Sequence, residues 1–413
     1  MKINSLIFSF LLILIAHFQL QSEDICQDYM IFDGSEPVIV YGMDTTKNWW
    51  IITKPFSGKF RLNVNGFETE VYDSVYFPVF SPDSYRWAAF AKLAGQWEII
   101  TNDSILKLNA TDPGEIVFSP DSRILAYTYF SGNIENVVCG DHKYEVFNRV
   151  PGLYVGHGGY RVAFMGMRGE DYILNINGKE TTLYDNILPL GFWKDGKMMY
   201  AAQNGITWQL YKGDEPVSQT YSRITEARIN LNGTVAAFIG ELSSGNKEVV
   251  IISDEYYEPL TGRAYDDAWN LVLHPYLALA GYNAYWQTYG YTVLNNTEYD
   301  CGVNCGAPEF TWNGEDMYFA GCGNFDCFIN VTGRKYNIAS DISLTSYYAK
   351  KPGHPTVAYA TGSSMIVRFL DTGELHAGMM VDQIIAPRYN RFDKRYETIG
   401  RISERLYLMT CAP

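Results

Sequence analysis

The sequence of 413 residues predicts an all-β fold made of repeated four-stranded antiparallel units. Three observations carry that expectation. Phe80-Ser81-Pro82-Asp83-Ser84 returns as Phe118-Ser119-Pro120-Asp121-Ser122, an offset of 38 residues, and self-similarity at such a period marks repeat architectures. Runs such as 60–64, 124–129 and 172–176 alternate apolar and polar residues, the pattern of half-buried strands. After the N-terminal segment, no stretch keeps a 3.6-residue amphipathic period for three turns.

Two columns of turn residues divide the repeats. The first reads Asp33-Gly34, Asn65-Gly66, Cys139-Gly140, Asn177-Gly178, Lys212-Gly213, Thr332-Gly333 and Thr372-Gly373. Glycine after a short polar residue suits a tight two-residue hairpin. The second column follows: Tyr72-Asp73, Phe147-Asn148, Tyr184-Asp185, Tyr221-Ser222, Tyr265-Asp266, Tyr299-Asp300 and Val381-Asp382. Its second member is a short side chain able to close a turn on its own backbone. With strands lettered a to d, the Ser-Pro-Asp-Ser turn joins a to b and the Xaa-Gly hairpin joins c to d.

The Phe-Ser-Pro-Asp-Ser turn, the Ala-Tyr strand after it and the two columns resemble the WD-repeat-like β-propeller repeats of the TolB type. The resemblance spans residues 23–413 and implies blades of four antiparallel strands. Later a to b turns, Gly158-Gly159, Asp195-Gly196, Asn232-Gly233, His274-Pro275, Asn313-Gly314 and Pro352-Gly353, lose the motif and keep turn-forming residues. Ends of d strands fall near 41, 72, 111, 147, 184, 221, 265, 299, 340 and 381, so about eight to ten repeats fit, with the one ending at Tyr72 short. One large ring and two smaller propellers both accommodate that number. The N-terminal runs 29–32 and 38–41 read as strands c and d, and the C-terminal runs as a and b, of one composite blade. Such closure removes a sticky edge and brings Cys26 to Cys411.

Residues 1–22 read as a secretory signal: Lys2, an apolar run over 6–16, then a polar end at Ser22. The apolar run is too short to span a bilayer, so the expectation is a secreted, extracellular chain with no membrane insertion after cleavage. Sequons at Asn102, Asn109, Asn232, Asn295 and Asn330 agree with that route. In a four-stranded meander the a to b and c to d turns share one face, which receives four of the five. A net charge of -14 argues against nucleic acid as a partner.

Seven cysteines in an oxidising compartment point to disulfides. Cys301, Cys305, Cys322 and Cys327 have spacings that a four-thiolate zinc site also uses; local pairs 301–305 and 322–327 are preferred, with crossed pairs the alternative. Metal and cofactors are not expected. Cys139 is left over, at a hairpin position expected to be partly exposed, where it suits an intermolecular disulfide.

The richest aromatic cluster, Tyr282, Tyr285, Trp286 and Tyr289 with Trp269 nearby, is a candidate sugar-stacking or protein-binding patch, the alternative being packing between blades. The aspartate column suggests a ring of oxygen ligands, but Asn148 and Ser222 in the same column favour turn closure. There is no Gly-x-Ser-x-Gly elbow, His-Glu-x-x-His pair or phosphate loop. The sequence therefore favours a non-catalytic binding or assembly module, its partner an extracellular protein, a glycan or a second copy. The alternative is a secreted hydrolase or lyase using carboxylates at the channel mouth.

Overall fold

In a computed structural model the described residues are 26–412, apart from 45–46, 57, 147, 160, 256–257, 312, 324–326, 338–347, 351–355 and 362. The expected leader lies outside them. Among the described residues there is no helix, and the strands fall into ten four-strand units. Nine are consecutive in sequence: 38–72, 74–107, 112–146, 149–180, 186–216, 223–261, 267–302, 304–337 and 348–377, here the first to ninth blades. The tenth is composite. No helix among these residues is long and apolar enough to cross a membrane.

The chain divides into two compact units. The larger, within residues 36–346, holds the first eight blades. Its core lies between successive blades: Phe238 and Val250 of the sixth blade pack with Trp208, Leu210 and Tyr221 from the fifth blade and its exit. Alternate residues of each inner strand thus face opposite neighbours, as the period-two pattern requires. The seventh and eighth blades also share a backbone bridge, Gly302 to Cys322, which merges them into one nine-stranded sheet.

The repeated pentapeptide works through hydrogen bonds. Ser81 Oγ donates to Asp83 (2.6 Å) and accepts from the Arg86 N–H (3.0 Å), while Ser84 takes φ 62°. Ser119 and Asp121 repeat the arrangement, with Ser122 also at φ 62°. The eighth blade does the same with different letters. Thr311 Oγ1 donates to Asn313 (2.9 Å), the Asp316 N–H donates to Thr311 Oγ1 (3.1 Å), and Gly314 takes φ 74°. A hydroxyl, a side-chain carbonyl or carboxylate two residues on, and a residue tolerant of positive φ are what the turn needs.

The c to d hairpins follow a second rule. Asn65, Asn177 and Asn295 each take positive φ and each accept, through the side-chain oxygen, the N–H of the residue that opens strand b: Trp49, Val162 and Ala280 respectively. Thr332 does this for Met317 through its hydroxyl. In the third blade that position belongs to Gly140 (φ 57°), not Cys139. Cys139 is the last residue of strand c, paired with Ala126 and fully buried among Val137, Leu153 and Phe164. The partly exposed thiol expected for an intermolecular disulfide is therefore corrected to an inward core residue. Burial pushes the Cys139 thiol up to about 11.

Strands a depart from regularity in a way the sequence did not announce. Register shifts interrupt them at Val38/Val40, Pro113/Ile116, Val150/Leu153, Pro189/Gly191, Ile224/Glu226 and Trp269/Val272. Bulges bend a strand and increase its twist, and they free backbone N–H groups that then need acceptors. Glu226 of the sixth blade supplies them to Asn270 (3.1 Å) and Leu271 (3.0 Å) of the seventh, and Glu115 of the third accepts from Gly152 of the fourth (3.2 Å). Arg149, itself buried, bridges Glu115 (2.7 Å) and Glu135 (2.6 Å).

The smaller unit comprises the described residues up to Ser35, 348–350 and 356–412. Its composite sheet takes three strands from the C-terminal region, with strand a split between Gln383–Ile384 and Arg388–Asn390, followed by Arg395–Ile402 and Arg405–Cys411. Cys26–Phe32 adds the fourth strand, antiparallel to the last. The division is thus three strands and one, not two and two. Val38–Met43, expected as its d strand, instead opens the first blade, which is complete rather than short. Cys26 and Cys411 sit opposite each other in register and form a disulfide across 385 residues of sequence. Nearby, Arg388 and Asn390 hold the buried Glu397 carboxylate at 2.9 and 2.8 Å.

Candidate binding surfaces

The sequence singled out an aromatic patch in the seventh blade, and the structure sorts its members. Tyr282 is fully buried, its ring 6.1 Å from Tyr265, so it leaves the patch. It shares a strand face with Ala280 and Ala284, which alternation turns toward the sixth blade. Burial pushes the Tyr282 hydroxyl up to about 12. Trp286 packs under Arg263 at 4.5 Å, and Arg263 pairs with Glu298 at 3.1 Å. Trp269 lies 4.7 Å from Tyr285, whose hydroxyl donates to the Val303 carbonyl at 2.9 Å. These four rings are half-buried or buried, and Tyr289 at the b to c hairpin is 62% exposed.

Tyr289 has company on the face made by b to c hairpins and d to a corners. Ile206, at the b to c hairpin of the fifth blade, is 88% exposed, and Leu183 and Val303 are exposed at d to a corners. Phe56 is exposed at the b to c hairpin of the first blade. Nothing in turn chemistry requires apolar side chains there. Single exposed apolar residues are ordinary; here they recur at b to c hairpins and d to a corners, and on the opposite face Tyr85, Tyr276 and Phe67 are exposed at turns as well.

The aspartate column lies on the same face, and its carboxylates are engaged with backbone. Asp185 accepts from Gly205 (2.6 Å) and Asp266 from Gln287 (2.5 Å), each capping the b to c hairpin of the blade that follows. In the smaller unit Asp382 does so for Ser403 (2.8 Å). Turn closure therefore acts across the corner rather than on the aspartate's own turn. Asp300 is different: it accepts from Gly302 and pairs with Lys335, and the Lys335 hydrogen bond first, then Gly302, holds its carboxyl below the usual range. Among the described residues no cluster of His, Cys, Asp and Glu is arranged to hold a metal ion. Cys301 is joined to Cys305 and Cys322 to Cys327.

A recess of about 590 Å³ lies between the third and fourth blades and is lined by Tyr144, Glu145, Arg168 and Glu180 among others. That volume falls in the range of small-ligand sites. Arg168 and Glu180 pair at 2.8 Å and are both well exposed. This cleft was not legible in the amino-acid order, because its walls come from separate blades.

Of the sequon asparagines, Asn109 is exposed and Asn102 and Asn232 are half-buried. Asn295 uses its nitrogen to donate to the Ala278 carbonyl at 2.8 Å. Asn330 is only 1% exposed and lies within strand c, where its oxygen accepts from Gly333 at 2.7 Å. A surface glycan at Asn330 does not fit that position; strand alternation turns the side chain inward.

No protein-family model and no curated protein matches this chain. Solved structures similar to it include one described as a eukaryotic initiation factor, 11% identical, covering 73% of this chain and 87% of that one, with a TM-score of 0.45. Another is the Dos1 propeller, 10% identical over 74% of this chain and 94% of that one, TM-score 0.37. TolB from Acinetobacter baumannii is 11% identical over 71% and 77%, TM-score 0.30. The class of protein is the β-propeller, defined by the four-stranded antiparallel blades themselves.

Proposed function

We propose that this chain is a secreted, N-glycosylated β-propeller of residues 23–413 that works as a non-catalytic binding module for an extracellular protein. The observation that carries this reading is the recurrence of exposed apolar residues, Ile206 and Tyr289 foremost, on hairpins of one face. Apolar and aromatic anchors of that kind supply most of the energy in protein interfaces. Asp185 and Asp266 on the same face are committed to hairpin caps, which suits a scaffold role. Three disulfides agree with an oxidising compartment.

The test is capture of partners from extracellular medium by the intact secreted chain, alongside a glycan array and assays on polysaccharide and peptide substrates. A protein is expected to be retained and to be lost with Ile206→Asp combined with Tyr289→Ala. Cleavage of either substrate class, or retention unchanged by both substitutions, would overturn the reading.

A further inference from the structure

A groove of 290 Å³ runs between the outer strand of the first blade and the c to d turn of the second. Tyr72 and Ile100 are buried beneath it, while Phe67 and Ile105 are 54% and 53% exposed. The Phe67 ring leans on Trp87, with centroids 6.4 Å apart. Such a groove is smaller than most pockets for free ligands, which run from roughly 300 to 1,000 Å³, and it leaves an aromatic face and an aliphatic side chain in water. Glu68, Glu70 and Asp103 supply carboxylates at its margin.

Asn102 belongs to the lining of this groove and is the first residue of the sequon Asn102-Asp103-Ser104. Its side-chain oxygen faces the Trp87 N–H at 3.4 Å. That contact uses the oxygen and leaves the amide nitrogen, the atom that carries an N-linked sugar, as the one to be modified. Three of the other four sequons differ, and Asn109 is exposed outside the groove. Asn330 is buried, and the nitrogens of Asn295 and Asn232 donate to the carbonyls of Ala278 and Tyr276.

We infer that an N-glycan on Asn102 is the occupant of this groove, its first pyranose ring lying with its C–H face on Phe67 and Ile105. The inference rests on the proposed secretory route. In the modifying step the Asn102 amide nitrogen bonds to the anomeric carbon of an oligosaccharide carried on a lipid diphosphate. The carbon–oxygen bond to the diphosphate breaks, and one amide proton passes to base. The remaining N–H and the carbonyl stay on the side chain, so the contact with Trp87 survives modification. Sugar hydroxyls then meet the acidic margin as hydrogen-bond donors, and the apolar surface of Phe67 is withdrawn from water. The glycan is in this way part of the packing between two blades.

The experiment uses the full chain secreted from eukaryotic cells, with occupancy of each sequon read by peptide mass spectrometry. Thermal unfolding is then compared for the wild type, Phe67→Ala, Ser104→Ala and the double variant. Ser104→Ala removes the sequon and keeps Asn102; Ser104→Thr keeps both. Asn102 is expected to be occupied, and Phe67→Ala is expected to lower the midpoint about twofold more in the glycosylated chain than in the Ser104→Ala background, since groups in contact are not additive. Trimming the glycan to its first sugar is expected to leave that coupling intact. Occupancy at Asn109 with Asn102 empty, or additive effects of the two substitutions, would overturn the inference. A full chain that stays inside the cells with no sugar on any sequon would overturn the secretory reading itself, whereas a secreted chain with Asn102 empty would overturn the inference alone.

Discussion

The hairpins of the third and fourth blades look alike as strings and are built differently. Cys139-Gly140 and Asn177-Gly178 align by their glycines, yet Gly140 occupies the place of Asn177 rather than that of Gly178. In the fourth blade Asn177 and Gly178 both take positive φ, as a type I′ turn requires. In the third, Gly140 takes the first turn position and Asp141 the second, which is how a type II′ turn places its glycine. The difference is one residue of register. In a strand that is enough to exchange an exposed cap for a core side chain.

The largest effect is expected at Cys139. Cys139→Asn would restore the apparent Asn-Gly motif and, by the observed register, place an amide among Val137, Leu153 and Phe164. A loss of about 3 kcal/mol is expected in denaturant unfolding; a neutral result would mean that the hairpin is in the other register.

A second measurement uses pH. The thiol is held protonated in the folded chain up to about 11, against an ordinary value of 9.0. Between these values the unfolded chain gives up a proton that the folded chain keeps. The contribution is therefore complete below pH 9 and is lost as pH rises toward 11, to the extent of at most about 3 kcal/mol. Cys139→Val is expected to lack that part of the alkaline loss, and the native thiol should resist alkylation until the chain unfolds.

The smallest effect concerns the fourth blade. Asn177→Ala removes the acceptor for the Val162 N–H, 2.8 Å away, and asks alanine to hold φ 54°. About 1.5 kcal/mol of stability is expected to go, with Asn177→Asp retaining most of it. If Asn177→Ala costs nothing, the hairpin cap is incidental and the two turns are more alike than their hydrogen bonds suggest.

The same contrast explains what was readable elsewhere. Thr311, Asn313 and Gly314 perform what Ser81, Asp83 and Ser84 perform, and the turn was recognisable because its requirements are chemical and local. The seventh-blade rings were visible as a cluster, but their exposure was not. Tyr282 and Tyr289 are the same residue type seven positions apart, one buried and one in water, and what separates them is the neighbouring blade. The apolar tips at Ile206 and Val303 carry no motif at all; only their accessibility marks them.

Taken alone, the amino-acid order determined the all-β class, the four-strand unit and its turns, since period-two alternation and positive-φ residues act within a few positions of sequence. It also indicated that the two ends of the chain meet, because strands with exposed edges need partners. The tertiary structure decided that the meeting takes three strands and one, that strands a are bulged, and that Cys139 and Asn330 point inward. These depend on register and on side chains brought by adjacent blades. A shift of one residue leaves the local pattern of letters nearly unchanged and reverses which face of the strand is buried.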